Sequence, residues 1–375
     1  MYICYRQNDT VSTQPLLKPT ANNHRLLSPT DDNIFPSPFL PTELIVEILL
    51  QFRCVCKLWK TLISEIQFAN KRLAFCDRTS TYHSSYPLKS LFENPSPRVL
   101  PEDSFSGLEI DDYYILGSCN GFFCIYDTDQ CNIIMYNPST GLKSKRSPKI
   151  SSPDWSMPIN GFGYDQVNDK YKVLAVVEHD GGDPDDEDFG ESFTKIYTFG
   201  EDSWRTIEDF PDNPTEGVGN YVSGTLNWFH YQWYNRHEQY VIHSFDLEKE
   251  TYRKLLLPFV GDDRMCRPSL CVLNDCLRVC FANKSHLVVW LMKECGVVES
   301  WTKLMTIPRE KLIFLNPIDR CSTVDLLFIS NGVALLMVSS QLILYNLNCG
   351  ELDHPLISIN AVLDAQIYCE NLISP

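Results

Sequence analysis

The stretch "ILGSCNGFFCIYD", Ile115 to Asp127, reads as two short apolar strands folded about Asn120-Gly121. Asn and Gly tolerate the positive φ that a two-residue hairpin turn requires, so the pair marks a hairpin for a conformational reason. Four further stretches repeat the pattern. They are "GYDQVNDKYKVLAVV" about Asn168-Asp169, "YVSGTLNWFHY" about Ser223-Gly224, "LCVLNDCLRVCF" about Asn274-Asp275 and "LLFISNGVALLMV" about Asn331-Gly332. Successive turns lie 48, 55, 51 and 57 residues apart. A second landmark keeps nearly the same step: Trp204, Tyr252 and Trp301, in "EDSWRTI", "KETYRKL" and "VESWTKL".

A repeat of roughly 50 residues with about four strands each predicts a β-propeller, in which every blade hides its faces against its neighbours. A single sandwich needs no such period. The tail "NAVLDAQIYCENLISP" has strand character and is expected to close the ring against the first blade, and Asp77 to Asp112 to supply a weakened blade. The expected fold is mostly β, a propeller of about six blades.

Ahead of the repeats the pattern changes. Residues 1–38 are rich in Pro, Asn, Ser and Thr without a sustained period, the composition of a disordered leader. From Leu40, apolar residues Leu44, Ile48, Phe52, Val55, Trp59, Leu62 and Ile66 follow at steps of three and four, one stripe along a helix. Pro41 suits the first helical position and Glu43 complements the positive helix end. The expected division is a leader at 1–38, a helical segment at 39–76 and the propeller at 77–375.

Composition narrows the function. The 375 residues carry a net charge of −16, half of it from the eight carboxylates of "EHDGGDPDDEDFGE", Glu178 to Glu191. Such a balance argues against nucleic acid or an anionic membrane as partner. No run approaches the ~18 apolar residues of a membrane span. The 15 cysteines are odd in number, scattered and without a CxxC, which fits reduced thiols in the cytoplasm or nucleus. Cys271, Cys276 and Cys280 lie close together but lack a His at ligand spacing, so no metal is expected there. Neither a GxSxG elbow, HExxH nor a Gly-rich phosphate loop occurs, and "GFGYD" reads as part of a blade turn. No catalytic residue and no cofactor is expected; a propeller enzyme would need metal ligands converging from several blades.

The order of motifs carries a family resemblance. "LPTELIVEILL" followed by "FRCVCKLWKTLIS" resembles the F-box, a helical module that docks on the Skp1 adaptor of cullin–RING ubiquitin ligases. "LGSCNGFFCIYD", "IIMYNPSTG", "GFGYDQVNDKYKVL" and "DSWRTI" resemble the kelch-related F-box-associated domain of the large plant F-box family. The resemblance implies a substrate-recognition subunit, with Skp1, and through it cullin, as one partner and a target protein as the other. It implies adaptor contacts from Leu40, Pro41, Leu44, Ile48, Leu49, Val55, Cys56 and Trp59. One departure stands out: about eight residues of the type "RLPVKSLL" are missing after Leu50, and with them the Pro-bearing turn between the first two F-box helices. The alternative reading is therefore a target-binding propeller uncoupled from the ligase.

For the target, "NWFHYQWYNRHEQ" (Asn227 to Gln239) gathers Trp228, Tyr231, Trp233 and Tyr234 beside Arg236, the residue types that dominate binding hot spots. The acidic stretch lacks the glycine of an EF-hand loop, since Asp188 stands sixth from Asp183; it reads as a solvated loop or a contact for a basic partner.

Overall fold

In the computed structural model of the chain, the described residues are 71–77, 84–93, 102–104, 108, 113–150, 155–179, 192–211, 217–234, 237–258, 268–283, 285–312, 324–338, 341–353, 362–371 and 373–375. All lie within the unit Cys54–Pro375. The helical stripe and every adaptor position from Leu40 to Trp59 fall outside the described residues.

Among the described residues the strands form six blades. Blade 1 contains β1 (Lys71–Asp77), β2 (Ser84–Pro87) and β3 (Glu102–Ser104), with a short helix α1 (Leu88–Glu93) between the last two. Blade 2 is β4 (Tyr113–Cys119), β5 (Phe122–Asp127) and β6 (Asn132–Tyr136), with a bridge from Tyr136 to Lys143 where a fourth strand would run. Blade 3 is β7 (Trp155–Asp165), β8 (Lys170–His179), β9 (Ser192–Thr198) and β10 (Arg205–Thr206). Blade 4 is β11 (Gly217–Val222), β12 (Thr225–Tyr234), β13 (His237–Asp246) and β14 (Thr251–Leu256). Blade 5 is β15 (Ser269–Leu273), β16 (Cys276–Ala282), β17 (His286–Met292) and β18 (Trp301–Pro308). Blade 6 is β19 (Val324–Ser330), β20 (Val333–Val338), β21 (Gln341–Asn346) and β22 (Leu352–Asp353).

The last strand, β23 (Val362–Cys369), pairs antiparallel with β1 and becomes the inner strand of blade 1. The tail and the weakened blade expected separately are thus one blade. Each inner strand touches the next, β4 to β7, β11, β15, β19, β23 and back to β4, so the ring closes. The core is correspondingly a series of layers between blades. Leu174 and Val176 of blade 3 meet Leu226 and Phe245 of blade 4; Val222 and Ile242 of blade 4 meet Leu277 and Val279 of blade 5.

Four of the five expected turns have both central residues at positive φ, from Asn120 (50°) and Gly121 (82°) to Asn331 (49°) and Gly332 (77°). This is the conformation whose twist matches the flanking strands. The fifth differs: β7 and β8 are joined by four residues, 166–169, of which only Asp169 has positive φ (54°). Asp165 organises that turn by accepting the amide N–H groups of Val167 and Asn168, both at 3.1 Å.

One boundary moves. Lys71–Asp77 is a strand, so the propeller starts before the expected 76/77 boundary; Leu73 is fully buried between Tyr86 of β2 and Ile367 of β23. The lack of Pro or Gly up to Phe75 permits a strand as readily as a helix. "GFGYD" lies inside β7 rather than in a turn, where its glycines admit side chains of blade 4.

Candidate functional site

Consecutive antiparallel strands put the first-to-second and third-to-fourth connections of every blade on one face of the ring. The second-to-third and blade-to-blade connections lie on the other. The first, here the turn face, carries links of two to eight residues in blades 2 to 6, such as 120–121, 166–169, 223–224, 247–250 and 347–351. The second, the loop face, receives the ends of all longer connections in those blades, including 180–191, 257–268 and 309–323.

Blades 3 and 4 stand above the rest on the loop face. Strands β7, β8, β12 and β13 have ten or eleven residues, against five to seven in the first three strands of blades 2, 5 and 6. The additional three or four residues raise the hairpins by roughly 10 Å. The elevation is shared, because Gly217, Val218 and Gly219 of β11 pair in parallel with Ile159, Asn160 and Gly161 of β7 and fuse the two blades into one eight-stranded sheet.

Two connections that are separate in sequence are anchored on this face. The acidic connection 180–191 spans from His179 of β8 to Ser192 of β9, and residues 235–236 join β12 to β13; both pairs of anchor points lie on the loop face of adjacent blades. Tyr231, Trp233 and Tyr234 occupy the rising part of β12, in register with Tyr240, Glu238 and His237. Arg236 lies outside the described residues.

Trp228, expected among the target contacts, is instead part of the core. It is 3% exposed and its indole Nε1 donates to the Asn160 carbonyl at 2.9 Å. A Cβ at Gly219 would come within 2.6 Å of the indole, and one at Gly161 within 2.9 Å. The two glycines therefore form the floor on which blade 4 lies against blade 3. Phe210 meets the same indole edge-on, with ring centroids 5.5 Å apart. The spacing of Trp228 from Trp233 and Tyr234 gave no sign of this; the signal was the pair of glycines in "GFGYD" and "GVGNY".

On the turn face, the groups between blades 3 and 4 hold structure. Lys172 contacts Asp165 (2.9 Å) and Glu250 (3.2 Å) and donates to the Leu247 carbonyl (2.6 Å), while Arg205 makes a two-pronged contact with Glu250. Burial pushes the Asp165 and Glu250 carboxyls up. Hydrogen bonds from Asn168 and Lys172 to Asp165, and from Arg205 and Lys172 to Glu250, outweigh it and hold both below the ordinary carboxylate range.

The propeller also receives the preceding polypeptide at the turn face. Lys71 pairs with Cys369, the last residue of β23, beside the Asn120-Gly121 turn. Asn137 then fastens the tail, its Nδ2 donating to Asn371 Oδ1 (2.6 Å) and the Ile373 carbonyl (2.8 Å). Lys71 itself thus lies on the face opposite the raised hairpins. Among the described residues no helix is long and apolar enough to cross a membrane.

Residues 81–359 match the F-box associated beta propeller domain. The chain is 31% identical to the F-box/kelch-repeat protein At3g23880 of Arabidopsis thaliana over 381 residues, 92% of this chain and 98% of that protein. It is 28% identical to the F-box protein CPR1 of the same plant over 222 residues, 53% of each. Among solved structures, one from the nidogen/laminin complex superposes on 80% of this chain at a TM-score of 0.43 and 11% identity, with all of that chain covered.

Proposed function

The chain belongs to the plant F-box proteins that carry an F-box-associated β-propeller domain, and from this we propose that it is the substrate-recognition subunit of a Skp1–cullin–F-box ubiquitin ligase. The helical segment holds a Skp1-like adaptor, the raised hairpins of blades 3 and 4 hold a target protein, and the chain itself contributes no catalytic group. Its contribution is placement: ubiquitin transfer gains from a target held at fixed distance and orientation from the charged conjugating enzyme. The observation that carries the reading is the two-faced build. Lys71 joins the ring at the turn face and the long hairpins rise from the other, so adaptor and target need not compete for one surface. Such a subunit works in the cytoplasm or nucleus, where its partners are.

Two variants of the full chain test this by separating the roles. Changing Tyr231, Trp233 and Tyr234 to Ser is expected to abolish target capture and leave adaptor binding intact, while Trp59→Ala does the reverse. Loss of both activities in both variants, each still folded, contradicts the assignment.

A second reading rests on the direct junction of Leu50 to Gln51, where the family carries about eight more residues. Under it the propeller binds its target but is uncoupled from the ligase. Inserting "RLPVKSLL" after Leu50 then creates adaptor binding that the natural chain lacks.

A further inference from the structure

Arg278 of β16 is 4% exposed, yet its Nε and Nη1 have no hydrogen-bond partner. Strand register identifies its surroundings. Cys271 is its partner on β15, Leu291 its partner on β17, and Cys276 and Cys280 flank it two places along the same face of β16. That face packs against blade 6, since Leu273 and Cys280 share a core layer with Val324, Leu326 and Phe328 of β19. Asp325 of β19 is felt by the Cys280 thiol but is not among the groups that act on the Arg278 guanidinium, and neither Nε nor Nη1 has an acceptor.

An arginine stays charged at any physiological pH, so it cannot escape burial by giving up its proton. A buried charge without a counterion costs several kcal/mol. Water can satisfy N–H groups but brings no opposite charge. Two of the neighbouring thiols do not supply it either: burial raises the Cys276 thiol, and Cys280 is held well above the ordinary thiol range by its hydrogen bond to Cys271 and by burial. Protonated thiols are instead weak donors, which suits an anion and not a metal. The guanidinium also repels a cation, although the Cys271 and Cys280 sulfurs lie only 3.8 Å apart.

We infer that the seam between blades 5 and 6 holds a small inorganic anion of the size of chloride on the guanidinium of Arg278, with the thiols of Cys271, Cys276 and Cys280 around it. The near-complete burial of Arg278 is why the ligand is a free ion rather than a carboxylate from a partner protein. The ion bridges two blades electrostatically.

The test is thermal unfolding of the full chain in sodium chloride against sodium gluconate at matched ionic strength. The melting temperature is expected to rise with chloride, on the order of 2 °C per tenfold increase above the dissociation constant, and to stay flat in gluconate. Arg278→Met is expected to abolish the difference between the two salts. Equal melting in both salts for the natural chain, or an unchanged chloride response in Arg278→Met, overturns the inference. If that variant does not fold, crystals of the natural chain in sodium bromide decide: an anomalous peak within hydrogen-bond reach of Nε or Nη1 supports the site, and its absence removes it.

Discussion

Trp228 shows how a single side chain sets the relation between two blades. Its indole rests on Gly161 and Gly219, and any larger residue at either position drives a Cβ into a rigid ring. Gly219→Ala is therefore expected to destabilise the fold by about 2 kcal/mol, the usual range for overpacking a filled core. The denaturation midpoint should fall with an unchanged slope. Lys172 is the second such residue, its side chain 7% exposed and that of Asp165 fully buried. Lys172→Met removes the cation but leaves the carboxylate in place, so a loss of about 3 kcal/mol at neutral pH is expected. The pH dependence has a definite sign. Asp165 and Glu250 have folded-state values held below the ordinary range. Their contribution is thus present above the unfolded value, about 4, and is lost as pH falls through the lower folded value. In Lys172→Met the loss on acidification should begin at higher pH, which melting curves between neutral and acid pH will show. At this scale the sequence was only partly legible. The step of five between Trp228 and Trp233 puts them on opposite faces of one strand, but only contacts across the blade boundary identify Trp228 as the core indole.

The elements were more legible than the residues, because turn chemistry is local. Asn-Gly, Ser-Gly and Asn-Asp can be recognised wherever they stand, and four of the five pairs adopt the expected conformation. The exception, Asn168-Asp169, is displaced because the Asp165 side chain captures the amides that a two-residue turn would leave free. The third-to-fourth-strand turns escaped notice. "NPSTG", "DLEKE" and "NLNCG" share a side-chain cap from Asn137, Asp246 or Asn346 and a left-handed fifth residue, Gly141, Glu250 or Gly350. Glu250 hides the repeat, being held there by Lys172 and Arg205 rather than by glycine's freedom. The tryptophan landmark acquires a cause as well. Trp301 donates from Nε1 to the Leu256 carbonyl of the preceding blade at 3.1 Å, and Trp204 to the Pro148 carbonyl at 3.0 Å. Trp301→Phe keeps an aromatic ring but removes the bond and part of the buried indole, so a loss of about 2 kcal/mol in equilibrium unfolding is expected.

At the scale of the whole molecule, the two faces of the ring are built differently. The turn face is short, capped and tied down by the tail at Asn137, and the polypeptide joins it there at Lys71. On the loop face blades 3 and 4 rise, and the strand ends that bound the acidic connection and the aromatic hairpin lie on adjacent blades. The propeller and its repeat could be read from spacing, but the opposition of the two faces could not. It depends on strand direction around a closed ring, and on β23 pairing with β1 across almost the whole chain. The measurement that bears most directly on the proposed role is co-purification of the full chain with a Skp1-like adaptor, beside Trp59→Ala. One-to-one binding that the substitution weakens is the predicted result. A folded chain that binds no adaptor in either form would contradict the role of ligase subunit and leave a target-binding propeller standing alone.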